Sequence, residues 1–282
     1  MPLDAAAPAR PIYRAAPRVV NVWRMDELVH LDLADGVGTI TLDSPHNRNA
    51  LSAQLRRELK QHLDSAIADD AVRVIVLAHT GKVFCAGMDL KESRSADADA
   101  QGVNEFPALL EQIWTSPKPV VAKVGGPARA GGVGLVAACD IAVATEEAGF
   151  AFSEVRIGVV PAVISVTVLP RIDARSAHEL FLTGEVFDGR RAAEIGLLNS
   201  AVPADELDAE VARYTDMLAL GAPGALAATK QMLTAPPAAN MSEAFAAMLE
   251  LSAEHFAGAE GQEGMRAFAE KRKPTWVPEP LR

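Results

Sequence analysis

The run Val72–Thr80, VRVIVLAHT, carries so many β-branched and apolar residues that it cannot lie half-exposed at a sheet edge, and it reads as a strand buried on both faces. Layers must then cover it on two sides, so the chain has to alternate strands with helices. VVAKV at Val120–Val124 and IAVAT at Ile141–Thr145 are further strands. VHLDLADGVGTITLD, from Val29 to Asp43, is a hairpin turning at Asp35-Gly36, and GFAFSEV, Gly149 to Val155, is one more short strand. Ser52 is an N-cap, followed by Leu55, Leu59, Leu63 and Ile67 on one helical face. Phe106, Leu109, Leu110, Ile113 and Trp114 mark a second helix, closed by Ser116-Pro117-Lys118-Pro119. Small residues from Gly131 to Cys139 suit a third, packed tightly inside.

Three regions follow. Residues 1–25 are a loose extension rich in Pro and Ala, 26–203 form an α/β core, and 204–282 offer only helical stretches. One helical stripe is Leu207, Val211, Tyr214 and Leu218, and another runs through Phe245, Met248, Leu249 and Ser252–Phe256. Such stripes need a surface to cover, commonly a neighbouring subunit.

At 282 residues the chain can bury a full core. Its net charge of −10 and lack of a Lys/Arg-dense block argue against nucleic acid as a partner, although local cations can still hold a phosphorylated small molecule. No apolar run reaches the ~20 residues that span a bilayer, and the opening lacks the apolar segment of a signal peptide, so no membrane association and a cytoplasmic location are expected. Cys85 and Cys139 have neither a disulfide framework nor the His/Cys spacing of a metal site, and no metal is expected.

Two glycine-bearing turns stand at the ends of buried strands: CAGMDL, Cys85–Leu90, and GGPARAGGVGL, Gly125–Leu135. Ligands collect outside strand ends in α/β arrangements, and an exposed peptide N–H from each turn could converge on one oxygen. Glu154 lies in the apolar setting FAFSEVRIGVV, where burial would raise its pKa towards neutrality. His79 has no evident partner and reads as a strand-end residue.

SPHNRNALS (44–52), GKVFCAGMDLKE (81–92), GGVGLVAACDIAVA (131–144), SEVRIGVVPA (153–162), LTGEVFDGRRAAEIGLLNSAV (182–202) and FAEKRKPTW (268–276) stand in the order and spacing of the crotonase, or enoyl-CoA hydratase/isomerase, superfamily. The chain resembles that family from Val29 to Trp276. The resemblance implies a spiral of ββα turns, a C-terminal helical region that joins subunits into a homotrimer or dimer of trimers, and an acyl-CoA substrate. Coenzyme A would enter as part of that substrate, with no permanently bound cofactor. By motif, Met88 and Gly131 supply the two oxyanion N–H groups and Glu154 the acid/base. Ala130, Gly134, Ser153, Val163 and Ile164 fall on the acyl group, and Arg48, Ala50, Ala86, Asp89 and Leu90 on coenzyme A. Lys271, Lys273 and Trp276 match a C-terminal element that approaches a neighbouring subunit's cofactor.

The best-known hydratases of the family carry a second glutamate where this chain has Gly134. That departure is similar to single-glutamate members resembling methylglutaconyl-CoA hydratases, and it leaves a vacant space for a branched acyl chain or a water. Val163 and Ile164 replace a glycine-rich stretch and make the wall bulkier. Arg129 stands where an apolar residue is usual, either on a carboxylate or phosphate or at the surface. The expected activity is hydration or dehydration of an unsaturated acyl-CoA, with 3,2-enoyl-CoA isomerisation or a non-catalytic acyl-CoA binder as alternatives.

Overall fold

The computed structural model describes residues 27–89, 92, 105–235 and 240–278; the extension expected over 1–25 and Leu90 lie outside them. β1 (Val29–Ala34) and β2 (Val37–Leu42) pair antiparallel. Asp35 and Gly36 turn between them with φ of 51° and 78°, the left-handed pair that a two-residue hairpin demands. The Ser52 hydroxyl accepts from the Leu55 N–H at 3.3 Å and opens α1 (Ala53–Ala68), whose Leu55, Leu59 and Leu63 are buried. The chain then returns to add β3 (Val74–His79) parallel to β2.

α2 (Glu105–Thr115) leads to β4 (Val120–Val124), and β5 (Ala128–Arg129) leads into α3 (Gly131–Ala138) and β6 (Ile141–Thr145). β7 (Phe150–Ala151), α4 (Ala162–Val168), α5 (Ala174–Thr183), α6 (Gly189–Glu194) and β8 (Ser200–Val202) complete the mixed part. The main sheet has the order β1-β2-β3-β4-β6-β8, and β5 pairs with β7 in a small second sheet. GFAFSEV is strand only at Phe150–Ala151: a 3₁₀ turn takes over at Ser153–Ile157, ended by Gly158 at φ 76°.

The apolar character of β3 on both faces has a direct cause. Ile75 and Leu77 face the core built with α1, α2 and α3, while Val74, Val76 and Ala78 face Leu207 and Val211 of α7 (Leu207–Ala219). The first stripe beyond residue 204, with Tyr214 and Leu218 partly buried, therefore covers the chain's own sheet. α8 (Pro223–Thr234), α9 (Met241–Ala257) and α10 (Ala259–Glu270) follow.

α8 is fastened by Lys230, a buried residue whose Nζ donates to Asp140 Oδ2 at 2.7 Å and to the Ile113 carbonyl at 2.9 Å. The same Asp140 oxygen accepts the Val120 N–H at 2.8 Å, so one carboxylate joins α8 to the start of β4. α9 buries no residue at all, leaving Phe245, Leu249 and Phe256 exposed. Among the described residues no helix is long and apolar enough to cross a membrane.

Candidate functional site

The site forms where the turn after β3 meets the start of α3. Gly87 has φ 88°, and a Cβ placed on it would lie 3.1 Å from both Ala130 Cβ and the Arg129 carbonyl oxygen and 3.4 Å from the Gly131 nitrogen. Gly132 is more tightly placed: an added Cβ would stand 2.5 Å from the Cys85 carbonyl oxygen. Gly132 thus lets two backbones approach at a distance that any side chain would prevent, and Gly87 allows a left-handed turn at a contact that a side chain would crowd.

Hydrogen bonds fix the approach. The Arg129 N–H donates to the Cys85 carbonyl at 3.0 Å and the Ala130 N–H to that of Ala151 at 3.0 Å. Ala130, the residue before α3, adopts φ 48° and ψ −118°, a conformation that costs an alanine roughly 1–3 kcal/mol and turns the following peptide. That peptide carries the Gly131 N–H. Among the described residues neither it nor the Met88 N–H has a hydrogen-bond acceptor. Two donors are therefore available, that of Gly131 at the positive end of α3 and that of Met88 on the turn whose Gly87 packs against it, a setting that favours an oxygen bearing negative charge.

Arg48 and Asn49 both adopt left-handed φ, of 61° and 52°, which wraps their segment around the turn. The Ala86 N–H donates to the Arg48 carbonyl at 3.1 Å, the Leu51 N–H to that of Gly87 at 2.8 Å, and Asn47 Nδ2 to Asp89 Oδ2 at 3.5 Å. Arg48, Ala50, Ala86 and Asp89 are thereby gathered on one rim. The fully buried Asn49 escaped notice in the sequence, yet its amide accepts the Ser44 N–H at 2.7 Å and donates to the Thr80 and Val83 carbonyls at 3.1 and 2.8 Å. Its only signal was an asparagine set inside an otherwise compact turn.

Glu154 follows three residues after Ala151, whose carbonyl holds Ala130, so the same small sheet delivers it and Ser153 to this end of the molecule. Among the described residues its buried Oε2 has no hydrogen-bond partner. Burial raises the carboxyl above its ordinary value, and a hydrogen bond from its own backbone N–H opposes this. Cys85, beside the turn, is inert: burial pushes its thiol up to about 12, and its hydrogen bond to Gly87 only partly offsets that.

The space expected to be vacant beside Gly134 is filled. A Cβ there would meet Ile164 Cγ2 at 2.7 Å and Leu110 Cδ1 at 3.6 Å, because α4 lays the buried Ile164 across α3. Thr167 Oγ1 strengthens that crossing by donating to the Gly134 carbonyl at 3.3 Å. Val163 beside it is half-buried. Arg129 is tied to backbone, with Nη1 donating to the Ala128 carbonyl at 3.0 Å and to that of Gly149. Burial lowers its pKa from the ordinary arginine value.

Not every candidate is brought to this place. Lys271 and Lys273 are exposed, and Trp276 docks at the far end of β3, its Nε1 donating to the Leu220 carbonyl at 3.0 Å while Arg73 Nη1 donates to the Trp276 carbonyl at 3.1 Å. A cavity of about 290 Å³ lies at that far edge, lined by Asp70, Arg73, Lys118 and Leu226 among others. Its cations are already engaged, Lys118 Nζ on the Ala66 and Asp69 carbonyls and Arg73 on those of Gly221 and Trp276. Among the described residues no cluster of His, Cys, Asp and Glu could hold a metal ion.

Residues 32–279 match the family model described as enoyl-CoA hydratase/isomerase. A Thermus thermophilus protein provisionally named an enoyl-CoA hydratase is 36% identical over 243 residues, covering 84% of this chain and 96% of its own. The solved structure of an enoyl-CoA hydratase from Mycobacterium smegmatis is 33% identical with a TM-score of 0.83, over 89% of this chain and 99% of that one. One from Mycobacterium avium is 46% identical with a TM-score of 0.68, over 89% and 100%.

The environment of Glu154 has a measurable consequence for stability. A carboxyl whose folded pKa is raised favours the neutral form of the fold, so its ionisation destabilises the folded state as pH rises from about 4.5 through the folded value. Glu154→Gln is therefore expected to unfold at a higher temperature than wild type at pH 7–8, with the advantage shrinking as pH falls towards 4.5. Thermal denaturation across that range checks it; a variant less stable at every pH would show that the carboxylate is not held at a cost.

Proposed function

The chain belongs to the enoyl-CoA hydratase/isomerase family, and from that premise we propose that it adds water to, or removes it from, an unsaturated acyl-CoA thioester. The observation that carries this reading is a buried Glu154 Oε2 with no partner among the described residues, on the segment whose Ala151 carbonyl holds Ala130 just before the acceptor-free Gly131 N–H. In hydration, Glu154 as carboxylate takes a proton from water while the water oxygen bonds to the β-carbon. Electron density moves through the α-carbon onto the thioester oxygen, where Met88 and Gly131 donate two hydrogen bonds, each worth about 3 kcal/mol in the transition state. Glu154, now the acid, returns the proton to the α-carbon, and atoms and charge balance.

Arg48, Ala50, Ala86, Asp89 and Leu90 are the proposed coenzyme A contacts, on the rim of the turn. Ala130, Gly134, Ser153, Val163 and Ile164 surround the acyl group in this reading. A second reading, 3,2-enoyl-CoA isomerisation, draws support from one specific observation: Ile164 fills the space at Gly134, so that side of α3 is apolar and brings no second carboxylate to Glu154. A single base suffices to move a proton between two carbons. Supplying crotonyl-CoA, a 3-enoyl-CoA and methylglutaconyl-CoA separately, with products followed by mass, separates the two.

The proposal extends to assembly as a homotrimer or dimer of trimers. Its support is the bare apolar face of α9 together with exposed Met232, Leu233 and Phe268 on its neighbours.

Three outcomes test these readings. Glu154→Gln is expected to lower turnover by at least about a hundredfold while acyl-CoA binding persists, as loss of general acid/base catalysis requires; activity within a few-fold of wild type removes Glu154 from the chemistry. Gly134→Glu alone must displace a β-branched neighbour and is expected to lose about 1–3 kcal/mol. Combined with Ile164→Ala it gains room, and hydration of a short linear enoyl-CoA should then rise relative to a branched one; unchanged selectivity in the folded double variant would take residue 134 off the acyl group. Light scattering should give an oligomer, and a 29.8 kDa monomer at micromolar concentration would contradict the assembly.

A further inference from the structure

His79 closes β3 and reads in the sequence as a residue without a partner, yet its ring bridges two loops. Nε2 accepts the Gly125 N–H at 3.0 Å, and Nδ1 lies 3.2 Å from the Thr80 carbonyl. An acceptor nitrogen must carry a lone pair, so the imidazole here is neutral with its proton on Nδ1. The ring also stands edge-on to the fully buried Phe84, with centroids 5.5 Å apart and planes at 80°.

The two loops that His79 joins are the ones that end in the N–H pair. From the His79–Gly125 bond they close step by step. A Cβ on Gly126 would lie 2.2 Å from the Lys82 carbonyl oxygen, the Phe84 N–H donates to the Pro127 carbonyl at 3.0 Å, and Cys85 bridges to Ala128. The Arg129 N–H then reaches the Cys85 carbonyl, and Gly87 meets Gly131. Every later step is backbone on backbone; the first is the one a proton can break.

The geometry points to His79 as a positioning residue: in its neutral form it fastens the 80–88 loop to the 125–130 loop and so sets the spacing of the Met88 and Gly131 N–H groups. This rests on the proposed role of those two groups. Protonation places an N–H on Nε2 facing the N–H of Gly125, which turns an attraction into a repulsion at the base of the closure.

The surroundings keep the neutral form dominant above mild acidity. Burial lowers the imidazole below its ordinary 6.5; the Thr80 carbonyl opposes this, the Lys123 ammonium adds to the lowering, and the Val83 carbonyl opposes it. Lys123 itself pairs with Asp208 of α7 at 2.6 Å, and α7 also brings Leu207 against Gly125. From the hairpin side Asp43 accepts the Thr80 hydroxyl and contacts His30 at 3.1 Å, and Lys82 is exposed on the loop itself. Since the folded value is depressed, the stability His79 contributes is whole above about 6.5 and is lost as pH falls through the folded value.

The test reads the amide nitrogens directly, without turnover, in the full chain carrying Glu154→Gln so that the carboxyl cannot contribute. Backbone amide resonances of Gly125, Met88 and Gly131 are expected to shift with one common midpoint, below 6.5, that matches the imidazole resonance of His79. In the additional variant His79→Gln, whose amide oxygen accepts the Gly125 N–H without titrating, the shifts should vanish. In an otherwise wild-type chain, His79→Phe should lower kcat by roughly tenfold or more with KM changed less than threefold, and His79→Gln should recover most of that loss at pH 8. Met88 and Gly131 amides that stay flat while His79 titrates would overturn the inference, as would a His79→Gln chain no more active than His79→Phe. Coupled amides in a chain without acyl-CoA activity would instead uphold the coupling and sink the proposed reaction.

Discussion

Everything at the candidate site depends on how closely the Cys85–Met88 turn lies against the first turn of α3. With a side chain at Gly132 the helix would have to retreat from the Cys85 carbonyl, from which an added Cβ would be only 2.5 Å away. The retreat would carry Gly131 with it. The rest of the architecture serves that contact: β3 and β4 run parallel and deliver both loops to the same end of the sheet, and the buried strands give the loops a rigid base. Two N–H groups without acceptors would be costly in a closed interior; in the proposed reaction the thioester oxygen is the acceptor that both would gain.

Two features of this region work against stability. Ala130 holds a left-handed φ that an alanine rarely adopts, and Glu154 keeps an oxygen buried without a partner. They are tolerated because their neighbours are over-determined. Ala130 is held through its N–H by Ala151 and through its carbonyl by Val133 and Gly134, and the segment after Glu154 is locked by the Val159 N–H on the Glu154 carbonyl at 3.0 Å. Strain at Ala130 and desolvation at Glu154, on segments joined through the β5–β7 pairing, are features expected of a site that must act and not only fold.

Much of this was legible in the sequence, for reasons that can be named. The double-sided apolarity of Val74–Ala78 required two covering layers, and both exist; the Asp35-Gly36 turn and the Ser52 cap announced themselves by residue type. What escaped depended on contacts distant in the chain. Nothing near Gly134 says that Ile164, thirty residues later, fills its space, so in the sequence the glycine reads as a vacancy. The partner of His79 is a backbone N–H in the loop after β4, and backbone donors leave no trace in a residue pattern. GFAFSEV looked like a full strand because apolar content alone does not separate a strand from the 3₁₀ turn that follows Ala151.

The packing of Ile164 bears on how one carboxylate can serve the proposed chemistry. A glycine at 134 removes any polar group from that side of α3, and Ile164 with Leu110 then closes it with hydrocarbon. Such a wall offers no hydrogen bond to a water molecule, so a water used in hydration would be oriented by Glu154. In the proposed reaction an apolar wall of this kind would lower the dielectric around the acyl group and strengthen the pull of the N–H pair on a developing oxyanion. A carboxyl whose pKa is raised by burial holds its proton more readily than an exposed one, and that is the direction a lone acid/base needs if it is to act as acid as well as base. The apolar filling at Gly134 thus leaves that side of α3 with no group to share the acid/base work proposed for Glu154.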